Sequence, residues 1–253
     1  MGYCLLPRKN TIYSLDAIIR CTQPYSLAIS GVLATNSLTA RYRTMPDPVV
    51  DQYPYRSLAA TWDHSIILPH LLDKVRSLPS HASIFDSGCG NGALLAEIAR
   101  HGSWHLAGME TSPSGAEIAR SRGYDVRCVD PNAPIAPLFG AARFDLVISV
   151  EVIEHLHAPR LFLRQATSLL KPGGTILLTT PYHGYLKNLL IAISGKFDHH
   201  VNPLWDGGHV KFWSRNTLTT LLAEAGFENI QFQGAGRIPY LWKSMVLTAQ
   251  RPF

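Results

Sequence analysis

Two runs of polar side chains in this 253-residue chain have types and spacings that suit chemistry. The first is Asp86-Ser87-Gly88-Cys89-Gly90-Asn91-Gly92. Glycines at 88 and 90 let a backbone turn sharply and approach a ligand closely. With Ala93 the run reads G-x-G-x-x-A, a pattern that also suits a dinucleotide. Asp86 discriminates between the two. A carboxylate just before the turn repels a pyrophosphate and attracts an ammonium. S-adenosylmethionine carries such an ammonium and a sulfonium, and no phosphate. Glu110, 18 residues beyond Gly92, can accept both hydroxyls of a ribose, a feature shared with NAD sites. Asp130 stands where a side chain can reach an adenine amino group. The plain alternative for each of these acids is a solvated strand end.

The second run is Glu151, Glu154 and His155. If this segment turns helically, positions i, i+3 and i+4 share one face. Two carboxylates and an imidazole converging there suit a divalent cation, with Mg²⁺ or Mn²⁺ expected. A fourth ligand can come from residues 181–211, which contain His183, His199, His200 and His209. His209 is the best placed, in the short approach Gly207-Gly208-His209-Val210-Lys211-Phe212-Trp213 to a helix capped by Ser214. His157 reads as a surface residue. The alternative needs no metal: the first acid caps a turn and the histidine packs near a substrate.

These residues must be positioned by an alternation of strands and helices. Strands are expected at 82–87, 104–109, 124–129, 144–150, 175–180, 227–233 and 244–250. The 144–150 stretch is apolar on both faces, as a central parallel strand should be. Helices are expected at about 92–101, at 113 onward with Ser112 as N-cap and Pro113 first, at 159–170 and at 215–225. The last is capped by Ser214 and ended by Gly226. A Pro-rich connection, 131–137, replaces a regular helix. Upstream, Leu58, Trp62, Ile66, Leu71 and Leu72 mark a helical pattern broken by Pro69. The alternation predicts an α/β fold with a doubly wound, mostly parallel sheet. Its acids then gather at the carboxyl edge, where such sheets bind ligands.

Composition narrows the class. At 46% hydrophobic and 16% charged the chain is too apolar for disorder. Four scattered cysteines, at 4, 21, 89 and 128, make neither a disulfide framework nor a zinc site, which points to a reducing, cytoplasmic setting. No apolar run reaches the ~20 residues needed to span a bilayer. The net charge of +5 is concentrated in residues 1–44, which hold five basic side chains and one acid, leaving +1 for residues 45–253. That balance argues against a long nucleic acid as partner and favours a small molecule. Residues 1–44 lack helix or strand periodicity. A signal peptide, a transit peptide and an unfolded N-terminal extension compete there. The extension is the reading taken here, with the folded domain at 45–253.

In order, D-S-G-C-G-N-G at 86–92, the acid at 110, F-D-L-V-I-S-V-E-V-I-E-H-L at 144–156 and L-L-K-P-G-G-T-I-L-L-T-T-P at 169–181 resemble the class I S-adenosylmethionine-dependent methyltransferases over about residues 55–250. The resemblance implies a Rossmann-like seven-stranded sheet with its last strand antiparallel. It also implies cofactor contacts from Asp86, Gly88, Gly90, Glu110 and Asp130. The E-x-x-E-H run with a later histidine resembles the quinone-pathway O-methyltransferases and the small-RNA 3′-end 2′-O-methyltransferases. The first likeness implies transfer to a hydroxylated, quinone-like or lipid-linked acceptor, with Glu151, Glu154, His155 and His209 holding the metal and His155 or Glu151 as catalytic groups. RNA 2′-O-methylation, metal-free small-molecule methylation and a non-catalytic cofactor-binding subunit stand as alternatives.

Residues 181–211 are longer than the usual αβ connection. Within them Leu186, Leu189, Leu190 and Ile193 form an i, i+3, i+4, i+7 stripe flanked by Lys187 and Lys196. Such a stripe in 185–197 suits peripheral membrane contact or a lipid-tailed substrate. It equally suits a lid helix packed on its own core. The aromatics of 237–243 either wall the acceptor pocket or pack between the last strands.

Overall fold

Period-two alternation sorts the strand side chains into two cores, one on each face of the sheet. In β1 (Ser83–Ser87), Ile84 packs with Leu146, Ile148, Leu177 and Val246 on one face. Phe85 packs with Val147, Ile176, Leu178 and Leu247 on the other. A strand buried on both sides reads as a continuous apolar run, which β4 (Phe144–Val150) and β5 (Leu170–Pro181) both show. The computed structural model describes residues 55–56, 58, 64–130, 133–201 and 203–253, all within the compact unit Asp47–Phe253. The expectations for residues 1–44 and for Trp62 lie outside the described residues.

The other strands are β2 (His105–Glu110), β3 (Asp125–Cys128), β6 (Glu228–Ala235) and β7 (Ser244–Gln250). The seven form one sheet in the order β3-β2-β1-β4-β5-β7-β6. The first five pair in parallel, while β7 runs antiparallel between β5 and β6. This is the expected doubly wound sheet with its last strand reversed.

Helices α1 (Leu68–Arg76) and α2 (Ala93–Ala99) cover the Ile84 face. Helices α5 (Pro159–Leu169) and α8 (Arg215–Glu224) cover the Phe85 face. Helix α3 (Pro113–Ser121) packs Ala116 and Ala119 with Leu95 and Val126. Its cap is as read from sequence: Ser112 accepts a hydrogen bond from the Gly115 N–H at 3.1 Å. Ser214 and Thr217 form a reciprocal capping box on α8, which satisfies donors that the first helical turn leaves open.

Three boundaries differ from expectation. Pro69 lies inside the first turn of α1 and begins that helix instead of breaking it, because an N-terminal proline loses no hydrogen bond. The connection after β3 contains one short turn of helix, α4 (Ala136–Phe139). Strand β5 begins at Leu170, ahead of Pro172-Gly173-Gly174, with a register shift before regular pairing resumes at Thr175. Within 181–211 lie α6 (Tyr185–Ile193) and α7 (Phe197–Val201).

Candidate active site

The carboxyl ends of β1, β2 and β4 meet α6, α7 and the β6–β7 loop around a cavity of about 940 Å³. At its β1 end the glycine turn is held from below. The Gly88 and Cys89 N–H groups donate to the Met109 carbonyl at 2.9 and 3.0 Å. The Gly90 N–H donates to Glu110 Oε2 at 2.7 Å. Gly88 has φ +90, and a Cβ there would come within 2.5 Å of Val152 Cγ2. Gly90 has φ +54 and lies under the Tyr55 ring, where a Cβ would meet the hydroxyl at 2.8 Å. Only glycine fits either position without strain.

Asp86 lies under this turn, 1% exposed. Among the described residues its Oδ1 has no hydrogen-bond partner. Burial, with the negative Glu110 alongside, pushes its pKa from the ordinary 3.8 to about 8. A buried, unsatisfied carboxylate oxygen is costly, and a ligand ammonium would satisfy it. Glu110 Oε1 accepts from the Thr111 and Ser112 N–H groups at 2.8 Å each. Oε2 holds Gly90 and keeps one lone pair for a ligand hydroxyl. Asp130 is exposed, two residues beyond the end of β3, and does not line the cavity. Tyr55, which sequence reasoning missed, donates its N–H to Ser114 Oγ at 2.9 Å and lines the cavity over the turn.

Beyond β4 a single 3-10 turn, Ile153–His155, carries the second run. Glu154 is 1% exposed, and among the described residues neither carboxylate oxygen has a hydrogen-bond partner. The buried Thr180 hydroxyl eases the carboxylate's burial but is not in bonding geometry. Burial first, and Glu151 second, hold Glu154 well above the usual carboxylate range. Two imidazole nitrogens face it: His155 Nε2 at 3.9 Å and His209 Nε2 at 4.0 Å from Oε1. The rings stack edge to face, with centroids 4.9 Å apart. Burial lowers the pKa of both, that of His209 to about 4 with His155 contributing, so both rings are neutral at pH 7.

The backbone holds this triad in place. The Val210 and Lys211 N–H groups donate to the Glu154 carbonyl at 2.9 Å each. The Trp213 indole donates to the Ile153 carbonyl at 3.3 Å. His155 Nδ1 lies 3.2 Å from the Gly208 carbonyl, which fixes the proton on Nδ1 and leaves the Nε2 lone pair facing Glu154. Two ligands ~2.1 Å from one cation stand roughly 3.0–4.2 Å apart over angles of 90–180°, so the observed spacings fit. Among the described residues, Glu154, His155 and His209 form such a cluster.

Glu151 is not in that cluster. The expected helical turn does not extend back to it: Glu151 has φ +54, ahead of the 3-10 turn. Its side chain instead accepts a hydrogen bond from Thr179 Oγ1 at 3.0 Å. Burial raises its pKa to about 7, opposed by hydrogen bonds from Thr179 and Ser244 and by Lys187 and Lys243. It lines the same cavity as the triad. His157 is exposed, as expected.

The insertion is inverted relative to its apolar pattern. Helix α6 buries Lys187 and Ile191 and leaves Leu186, Leu189, Leu190 and Ile193 between 39% and 74% exposed. Lys187 Nζ donates to the Lys243 carbonyl at 3.2 Å. Of the 237–243 segment, Arg237 and Lys243 line the cavity, while Trp242 packs against Tyr182 and Phe232.

The sheet order with its reversed strand, and a buried acid under a glycine turn at the edge of β1, define a class I S-adenosylmethionine-dependent methyltransferase. Residues 63–232 match the methyltransferase domain family, and the chain belongs to it. It is 30% identical over 196 residues to the ubiquinone biosynthesis O-methyltransferase of Dinoroseobacter shibae, covering 74% of each chain. It is 26% identical over 202 residues to a probable S-adenosylmethionine-dependent methyltransferase of Mycobacterium tuberculosis, covering 79% of this chain and 64% of that one. A solved methyltransferase of Archaeoglobus fulgidus superposes with a TM-score of 0.55 at 14% identity, over 73% of this chain and 93% of the other, a likeness of fold alone. The protein is therefore an S-adenosylmethionine-dependent methyltransferase.

Proposed function

We propose that the enzyme methylates a hydroxyl oxygen of a catechol-like acceptor with help from a divalent cation held by Glu154, His155 and His209. The observation that carries this reading is the Glu154 carboxylate, buried without hydrogen bonds among the described residues and faced by two neutral imidazoles. A carboxylate left so is disfavoured unless a cation completes it. Similarity to the Dinoroseobacter O-methyltransferase supports the oxygen acceptor.

When bound, the cation supplies Lewis-acid polarisation of an acceptor hydroxyl, and S-adenosylmethionine supplies an activated methyl. The rest falls to the chain. Asp86 holds the methionyl ammonium, and Glu110 takes a ribose hydroxyl at Oε2. His155 and His209 are committed as ligands and are not free to act as bases. Glu151 lines the cavity beside them and accepts the acceptor's proton on its carboxylate, where a pKa near neutrality suits a general base. The glycine turn and the β4 edge place both partners in one cavity, so that oxygen, methyl and sulfur align. Asp130, set back from the cavity, carries no part of this reading.

The test uses the full chain, chelated or supplied with Mg²⁺ or Mn²⁺, with catechol as acceptor. Transfer should require the cation and fall at least 100-fold in Glu154→Ala, with S-adenosylmethionine binding retained. Cation-independent transfer, unchanged in Glu154→Ala, would discard the metal site.

The exposed stripe of α6 supports an acceptor presented from a lipid surface, since Tyr185, Leu186, Leu190 and Ile193 are exposed on a helix whose Lys187 lines the cavity. Among the described residues no helix is long and apolar enough to cross a membrane, so contact would be peripheral. The enzyme should sediment with anionic vesicles, and a Leu190→Glu/Ile193→Glu double variant should stay in the supernatant. Equal sedimentation of both would remove this reading.

A further inference from the structure

The cavity has two chemically opposite ends. Asp86 and Glu110 close one, at β1 and β2; Lys187, from α6, and Arg237, from the β6–β7 loop, line the other. Lys187 is 6% exposed on a helix whose leucines face outward. Nothing in local amphipathicity turns a lysine inward, so the groups it interacts with lie on the cavity side of the helix. An ammonium has three donors, and one is given to the Lys243 carbonyl. Among the described residues, neither Lys187 nor Arg237 has a carboxylate at salt-bridge distance. Arg237 works against the Lys187 charge, and Glu151 only in part offsets it; burial and this crowding bring the lysine pKa down to about 8. The backbone at Gly236 and Arg237 is left-handed, φ +66 and +62, conformations that carry Arg237 to the cavity wall.

The methionyl carboxylate of the cofactor is not the natural partner of these charges. It shares a carbon with the ammonium placed at Asp86 on β1. Lys187 is tied to Lys243, at the start of β7, with β4 and β5 between β1 and β7. Three strand spacings are roughly 14 Å, beyond the reach of a group on that carbon.

We propose that Lys187 and Arg237 form an oxyanion subsite at the acceptor end of the cavity, so that the acceptor is a hydroxylated compound bearing a carboxylate or phosphate. The inference rests on reading the cavity as the acceptor pocket. The test measures binding by calorimetry to the S-adenosylhomocysteine-loaded full chain. The probes are 3,4-dihydroxybenzoate, 3,4-dihydroxyphenylphosphonate and the neutral, similarly shaped 3,4-dihydroxybenzamide. At least one acid should bind ten or more times tighter than the amide, and which one does so separates carboxylate from phosphate. Lys187→Met and Arg237→Gln should each bring that preference below threefold while leaving S-adenosylhomocysteine affinity unchanged. Arg237 is exposed, so its variant decides the matter if Lys187→Met does not fold. Equal binding of acids and amide, no binding of any probe, a preference that survives both substitutions, or a loss of S-adenosylhomocysteine affinity in Lys187→Met would each overturn the subsite. Methyl transfer to the same probes is a separate readout. Acid preference in binding without transfer would refute the O-methylation reading and leave the subsite standing.

Discussion

Replacing Asp86 with asparagine should move stability and cofactor binding in opposite directions. In the folded chain Asp86 titrates near 8 instead of the ordinary 3.8. Between those pH values the folded state binds more protons than the unfolded state, so stability falls as pH rises through the window. At pH 7 the distance above 3.8 corresponds to about 4 kcal/mol, at about 1.4 kcal/mol per pKa unit. Asparagine matches the protonated side chain in shape and cannot ionise. Asp86→Asn should therefore stabilise the cofactor-free enzyme at pH 7 by up to about 4 kcal/mol, which is roughly 8–16 °C in melting temperature for a domain of this size. The gain should nearly vanish at pH 4. Cofactor affinity should fall about 10–100-fold, the worth of a charge-assisted hydrogen bond to the ammonium. In the wild type, binding must first ionise Asp86, so affinity should rise about tenfold per pH unit up to pH 8. Above pH 8 it should fall again, as the ligand ammonium loses its own proton near ~8. Scanning calorimetry and titration calorimetry from pH 4 to 8.5 measure all of this. An Asp86→Asn enzyme that melts no higher than wild type at pH 7 would refute the raised pKa of Asp86, and one that binds the cofactor equally well would refute the placement of the ammonium there.

Other perturbations follow from the same geometry. Glu151→Gln should lower kcat at least 100-fold with cofactor and cation affinities unchanged, as measured in steady-state kinetics and binding; a fall in cation affinity instead would make Glu151 a ligand. Gly88→Ala must adopt φ +90 and meet Val152, so it should destabilise by roughly 1–3 kcal/mol and weaken cofactor binding; Val152→Ala should restore part of the stability. Ser214→Ala removes a capping box and should lower stability by about 1 kcal/mol in urea titration without affecting the cofactor.

Much of this fold is written in local pattern. Residues 144–150 form the expected strand because its run is apolar on both faces, a signal of burial that needs no knowledge of neighbours. Ser112 and Ser214 cap helices because capping involves only residues within one turn. Asp86, Gly88, Gly90 and Glu110 converge because a strand–turn–helix unit and its parallel neighbour carry them to one edge. His209 joins Glu154 and His155 as their chemistry suggested, although 55 positions separate it from Glu154.

Tertiary structure decided the rest, wherever a side chain's role depends on what faces it from another element. Glu151 shares a short motif with Glu154, yet with its left-handed backbone and its hydrogen bond from the Thr179 hydroxyl of the neighbouring strand it stands beside the triad and outside it. Lys187 and Arg237 are 50 residues apart and become one cationic wall only because β7 lies between β5 and β6. The apolar stripe of α6 is plain in the sequence, but periodicity defines a face without saying which way that face points. Here a lysine turned toward the Lys243 carbonyl and the cavity sends the leucines outward, because the partners that settle the helix's rotation are supplied by strands far away in the chain.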